Sequence, residues 1–435
     1  MKTEKTRNLK GNPLFIGFLF VLLLSLAYAS VAFSQDTQTS QDPLAYKAYT
    51  GIILDSKTRK PIVFANVVIR GTNVGTVTNG DGEFLIKAPG NLNVEEIEIT
   101  HLGYRSKAVK LADLTEKNNE IRLEIATVPI EGITISYGNP EELIRQAVAN
   151  IPDNYSNNPV MLKAFYRETI KQNRNYVGVA EAVLDIYKTE YRTIAGTDRT
   201  RIYKGRKSQD VKKMDTIVVK LQGGPFISLM LDVAKNPGEI LSEDYLELYT
   251  YTYGGLTTVQ DRQSMIIYFE PKPYIQDPLY AGKIFLDSEN LAIIGIDFNL
   301  DEDKLNMASG LFVRRKPASL KIDIESANYL TKYRINDGTW YLSYIRTELD
   351  FKCRWEKKLF SSNYALMSEL AVTDVSKENI TKFRYNESSR YSDVLAEQVN
   401  QFNDKEFWGH DNIIKPDESI EEAIEKLSRK MKKGL

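Results

Sequence analysis

The stretch over residues 319–354 constrains the fold most. Two long runs, 319–334 and 339–354, flank Asn336-Asp337-Gly338. Residues that accept positive φ, set between β-prone runs, specify a tight antiparallel hairpin. An isolated hairpin is marginal in water, so the chain must supply neighbours. Residues 161–172 and 175–187 pair around Asn173-Arg174 as a second hairpin. Residues 246–253, 265–270, 281–287, 292–300 and 364–373 continue the strand series. In the first of these, Tyr249, Tyr251 and Tyr253 fall on one face and Leu246, Leu248, Thr250 and Thr252 on the other, the two-residue period of a strand. Residues 137–435 therefore read as a larger antiparallel β-sheet or half-barrel with flanking helices. One helix is expected near 140–151, where Asn139 caps, Pro140 opens the first turn and Glu141 and Glu142 meet the positive helix end. Another is expected near 417–433, where Ile420, Ala423, Ile424, Leu427 and Met431 form one stripe.

Residues 47–136 carry shorter runs at 49–54, 62–70, 75–78, 83–87, 95–100, 104–110, 120–125 and 132–136. Val63, Ala65, Val67 and Ile69 alternate onto one face. Asn79-Gly80-Asp81-Gly82 supplies turn residues between two runs. Many short strands separated by turn clusters predict a sandwich of two antiparallel sheets.

Specific motifs support that division. Gly51-Ile52-Ile53-Leu54-Asp55, Lys60-Pro61-Ile62-Val63-Phe64-Ala65-Asn66-Val67, the run from Gly71 to Phe84 and His101-Leu102-Gly103-Tyr104 resemble the carboxypeptidase-regulatory-like domain. Asn79 stands where that family usually has Asp. The resemblance implies a seven-stranded, prealbumin-like antiparallel β-sandwich with no peptidase activity. It also implies a folding or docking unit of the kind that precedes outer-membrane receptors and other surface proteins in Gram-negative envelopes. A second stretch, from Gly282 to Phe298, resembles the hairpin of periplasmic lipoprotein-carrier half-barrels. Phe407-Trp408 and Ile413-Ile414-Lys415-Pro416 before the last helix resemble the C-terminal parts of secreted carboxypeptidase-regulatory-like proteins.

The first 34 residues read as an address. Lys2, Lys5, Arg7 and Lys10 precede an apolar run from Leu14 to Leu26, and Ala32-Phe33-Ser34 fits cleavage before Gln35. The apolar run falls short of the roughly 20 residues of a spanning helix. Residues 35–46 read as a flexible leader rich in Gln, Thr, Ser and Asp. The mature protein is expected to be exported, periplasmic or outer-membrane-associated, and peripheral rather than integral.

Composition narrows the chemistry. Lys and Arg total 57 against 58 Asp and Glu, so the basic surface of a nucleic-acid binder is not indicated. One Cys and two His exclude an internal disulfide framework and a Cys- or His-rich metal cluster. His101 is expected at a strand end and His410 in a surface loop. Cys353 lies between Lys352 and Arg354, bases able to lower a thiol pKa, although an unpaired Cys in an exported chain is more often a buried or incidental residue. No nucleophile elbow or phosphate loop occurs, so no cofactor and no metal are expected. The basic cluster Arg199, Arg201, Lys204, Arg206, Lys207, Lys212 and Lys213 reads as an anion-facing patch or as a solvated loop interleaved with Asp198, Asp210 and Asp215. The candidate binding surface is Tyr249, Tyr251 and Tyr253 with Arg206 and Lys207. The expected role is binding or docking to an envelope protein or outer-membrane receptor, with a lipid or polysaccharide as a further candidate ligand. A carrier of an acyl chain in the C-terminal half-barrel is the alternative, and a carboxylate-based hydrolase the third reading.

Overall fold

The computed structural model describes residues 46–90, 94–126, 138–192, 197–210, 224–307, 319–356, 361–401 and 407–432. The expected export signal, nearly all of the leader, the expected strand at 132–136, and Lys212, Lys213 and Asp215 lie outside the described residues.

The sandwich contains β1 (Tyr46–Asp55), β2 (Asn66–Ile69), β3 (Gly75–Val77), β4 (Glu83–Pro89), β5 (Glu96–Thr100), β6 (Lys107–Lys110) and β7 (Asn119–Leu123). Its sheets run β4-β1-β7 and β3-β2-β5-β6. The two-residue period explains the core: Ile53, Val67, Ile69, Phe84, Ile86, Ile97 and Ile99 are fully buried between the sheets. Pairing is antiparallel except between β1 and β7, which run parallel. Gly51 sits where those strands close, and a Cβ there would meet the Asn119 carbonyl at 2.3 Å. Asn79 is a turn residue: its Oδ1 accepts from the Asp81 and Glu83 amides at 3.0 and 2.8 Å.

The second sheet is built from β8 (Val160–Gln172), β9 (Asn175–Lys188), β10 (Arg199–Gln209), β11 (Tyr249–Val259), β12 (Arg262–Pro271), β13 (Tyr280–Asp287), β14 (Ile293–Leu300), β15 (Leu320–Asn336), β16 (Thr339–Trp355), β17 (Ser362–Ser376) and the two-residue β18 (Asn400–Gln401). The strand order is β11-β12-β13-β14-β15-β16-β17-β8-β9-β10-β18. Ten antiparallel strands are thus extended by β18, which lies parallel to Arg206 and Lys207. The order has two ends, so among the described residues the sheet is open. The β15–β16 hairpin turns at Asp337 and Gly338, with φ of 48° and 74°.

Several elements depart from the sequence reading: the strands expected at 62–70 and 104–110 are confined to Asn66–Ile69 and Lys107–Lys110. The strand expected from 246 begins at Tyr249, because Leu246 closes a short helix. The basic stretch from Arg199 is a regular strand rather than a loop, since acids on adjacent elements neutralise its charges: Asp185 pairs with Arg201, Glu181 with Arg206 and Asp411 with Lys204.

Helices α1 (Pro140–Ala149), α2 (Ile151–Asn154), α3 (Gly224–Met230), α4 (Gly238–Leu241) and α5 (Glu243–Leu246) cover one face of the sheet. Asn139 caps α1 by accepting from the Glu141 amide at 3.1 Å. Ile144, Ala147, Leu229 and Leu241 join Tyr155, Tyr333 and Trp340 in one buried core. Two further helices follow, α6 (Leu395–Gln398) and α7 (Glu418–Lys432). The opposite face carries the sandwich, residues 407–416 and α7, whose Ile420 and Leu427 pack on Val179. No helix of the described residues is long and apolar enough to cross a membrane.

Candidate site at the junction of the sandwich and the long sheet

Strand register brings together five charged side chains from five separate strands. Arg346 on β16 faces Glu369 on β17, Glu369 faces Arg167 on β8, Arg167 faces Glu181 on β9, and Glu181 faces Arg206 on β10. The signs alternate along the row. Neighbouring groups are hydrogen-bonded at 3.3, 3.0, 2.8 and 2.5 Å in that order. Arg167, Glu181 and Glu369 are 1, 1 and 3 % exposed. Tyr344 donates to Glu369 at 2.9 Å, and Arg167 donates its remaining fork nitrogen to the Ile414 carbonyl at 2.7 Å. Burial alone would raise the Glu181 carboxyl, but Arg167 and Arg206 hold it below the usual carboxylate range. Buried ions persist only when paired and fully hydrogen-bonded, and this row meets that requirement.

Aromatic side chains roof the ladder. Phe64 of the sandwich lies 4.7 Å from the Arg346 guanidinium and stacks on Tyr344. Trp408 lies 4.9 Å from the Arg206 guanidinium and meets Phe165 edge-on. Phe64 has a φ of 57°, a region a bulky side chain rarely adopts, so the surrounding contacts impose it.

Residues 407–416 run as a strap between sandwich and sheet. Thr76 donates to the Ile413 carbonyl at 2.8 Å, and Asn412 brackets the Lys87 backbone at 2.7 and 3.2 Å. Lys415 pairs with Glu83 at 2.6 Å. Direct bonds add to the strap: Arg334 donates to the Asn73 carbonyl at 2.5 Å, Asn336 donates to the Asn73 side chain at 2.9 Å, and Asn73 donates to the Val375 carbonyl at 3.0 Å. With Val77, Tyr344, Ala371 and Ile414 these contacts form a buried apolar layer between the two sheets.

Beside this contact the two parts diverge around an apolar cleft of about 190 Å³. Val63, Phe64 and Leu102 line it from the sandwich, and Phe285, Ile294 and Leu330 from the long sheet. Lys332 and His101 are its basic side chains. Lys332 donates to the Phe64 carbonyl at 3.0 Å. Burial pushes its ammonium down to about 8, against the opposing pull of Asp297. Asp297, also on the wall, is half exposed and pairs with Lys283 at 3.0 Å. Burial and the Lys332 charge push His101 down to about 3, so its ring is neutral, and Nδ1 lies 2.9 Å from the Leu102 carbonyl. His101 therefore sits just past β5, in a turn that reaches the sheet: the Gly103 amide donates to the Thr258 carbonyl at 2.8 Å.

The residues singled out from sequence do not converge on this cleft. Tyr249 is fully buried against Phe269 and donates to the Glu239 carbonyl at 2.7 Å. Tyr251 and Tyr253 are half-buried on the same face, while Thr250 and Thr252 face outward. Arg206 is the end rung of the ladder, and Lys207 donates to the Ala396 carbonyl. Cys353 is buried, and burial together with Asp323 pushes its thiol up to about 11, opposite to the direction expected from Lys352 and Arg354. Those bases occupy alternate positions of β16, and Arg354 pairs with Asp323 at 2.5 Å. Among the described residues no group of three or more His, Cys, Asp or Glu is placed to hold a metal ion.

TonB-dependent receptor SusC of Bacteroides thetaiotaomicron is 30% identical over 149 residues, 34% of this chain and 13% of the receptor. The chain thus spans a small part of that relative's length. Among solved structures, a DUF1329 family protein from Desulfovibrio piger aligns over 57% of this chain and 99% of its own, at 10% identity and a TM-score of 0.26. A 9R-lipoxygenase from Cyanothece aligns over 78% of this chain and 43% of its own, at 10% identity and a TM-score of 0.17. Neither likeness is close enough to carry an argument. Residues 49–135, which contain most of β1 and all of β2–β7, match the family model of the CarboxypepD_reg-like domain.

Proposed function

We propose that the protein is a non-catalytic docking protein of a Gram-negative cell envelope. The observation that carries this reading is the one-sided attachment of the CarboxypepD_reg-like sandwich. Its β2–β3–β4 side is bound to the sheet and the strap, while β6 and β7 form the far edges of their sheets. Three of the four β6 residues are exposed, and Glu120 and Arg122 of β7 face outward. These edge strands, with Lys107 and Lys110 on β6, suit recognition by a partner strand or loop. The export signature of residues 1–34 and the similarity to part of SusC support an envelope setting and a receptor-type partner. The ladder favours a structural role over hydrolysis, since its carboxylates are already committed to arginines. Burial of Tyr155, Tyr333 and Trp340 beneath the helices favours docking over transport of an acyl chain within the sheet.

Site-specific photocrosslinking in the producing cell tests this reading. A photoreactive residue at Ala108, Lys110 or Arg122 is expected to trap one envelope protein, and one at Glu142 on α1 is expected to trap none. Absence of adducts from all three outward positions, or retention of an unprocessed chain in the cytoplasm, would overturn it.

A further inference from the structure

The cleft between sandwich and sheet has a chemistry that docking does not use. Its walls are largely apolar, and one ammonium projects onto them. Lys332 has three N–H donors, and the Phe64 carbonyl is its one hydrogen-bond partner among the described residues. Asp297 on the same wall pulls on the Lys332 charge but makes no hydrogen bond to it among the described residues. Asp297 is engaged by Lys283, which lies outward of the cleft on β13, and His101 is neutral with one ring nitrogen at the Leu102 carbonyl. An ammonium with donors to spare beside apolar walls is matched by an anion carrying an apolar body. A carboxylate meets that description, because it accepts charge-assisted hydrogen bonds from an ammonium and shields it from the apolar walls. Size sets a second limit. A cavity of about 150 Å³ holds benzene, so the 190 Å³ here takes a molecule of roughly eight non-hydrogen atoms. Phe64 joins the cleft to the ladder: its carbonyl holds Lys332 and its ring covers Arg346. The imposed φ of 57° fixes that double role.

We infer that this cleft binds a small amphipathic carboxylate, an aromatic or medium-chain acid, with its carboxylate on Lys332 and its apolar body against Phe64, Phe285 and Leu330. The inference stands apart from the docking reading, since it rests on the side chains that line the cleft and uses no residue of β6 or β7. Calorimetric titration of the full mature chain with benzoate and hexanoate, against hexanol and hexylamine, tests it. Both acids are expected to bind, hexanoate about tenfold or more tighter than hexanol, and hexylamine not measurably. Lys332→Met is expected to erase the preference for hexanoate while leaving hexanol binding in place. Val259→Trp, which narrows the cleft from the end of β11, is expected to abolish binding of every probe at unchanged melting temperature. If Lys332→Met does not fold, the selectivity of the native chain and the Val259→Trp result still decide the matter. Equal affinity for hexanoate and hexanol, undiminished acid preference in Lys332→Met, or no binding of either acid at millimolar concentration would overturn the inference.

Discussion

Replacing Arg167 with Met tests the ladder. The substitution keeps most of the side-chain length and removes three charge-assisted bonds at once: to Glu181 at 2.8 Å, to Glu369 at 3.0 Å and to the Ile414 carbonyl at 2.7 Å. Breaking a buried ion pair on one side costs about 3–5 kcal/mol, because the remaining charge stays buried. Two effects act on that figure here. Glu181 keeps Arg206 and Glu369 keeps Arg346, which softens the loss. The Ile414 carbonyl is orphaned, which adds about 1–3 kcal/mol. The expected destabilisation is therefore about 3–5 kcal/mol, read by guanidinium denaturation with Trp fluorescence, since Trp408 packs on the ladder. A loss below about 1 kcal/mol for Arg167→Met would refute the reasoning, because only a solvated pair is worth so little.

Glu168 and Cys353 give two further tests. Burial lifts the Glu168 carboxyl from 4.5 to about 8, so the folded state holds a proton that the unfolded chain releases. The stability tied to that proton is fully present below the unfolded value and falls as pH rises from about 4.5 to 8, by up to about 1.4 kcal/mol per unit. Glu168→Gln should flatten that part of the pH–stability profile and be the more stable protein at pH 9; parallel profiles would count against burial as the cause. Cys353, buried and with its thiol raised to about 11, should resist maleimide at pH 8 in the native protein and react after denaturation, whereas rapid native labelling would show the site open.

Much of the architecture is legible in the chain because strands and turns are local. The period of two at Val67 and Ile69, the Asn336-Asp337-Gly338 turn, and Asn139 before Pro140 each predict an element that forms close to where it is read; Val63, expected on the same strand face, lies in the turn before β2. The site is another matter. Arg167, Glu181, Arg206, Arg346 and Glu369 have no common spacing, and they meet only because β17 pairs with β8 across nearly the whole domain. That pairing also hides β10, whose basic residues look solvated until Asp185, Glu181 and Asp411 are placed beside them. Lys332 and His101 share a cleft through a contact between two modules, which no window of sequence contains. Tyr249 shows the limit of pattern reading in the other direction. Its alternation with Thr250 is real, but alternation alone does not say whether the aromatic face meets solvent or helices, and here α1, α4 and α5 supply the cover.

The central claim is that sandwich, strap and long sheet form one cooperative body. Native-state hydrogen–deuterium exchange with rising denaturant measures this directly. The amides of β2 to β5 should merge with those of β8, β9, β16 and β17 into one opening of common free energy. Exchange of the sandwich amides through a separate opening of lower free energy, with the long sheet still protected, would contradict it.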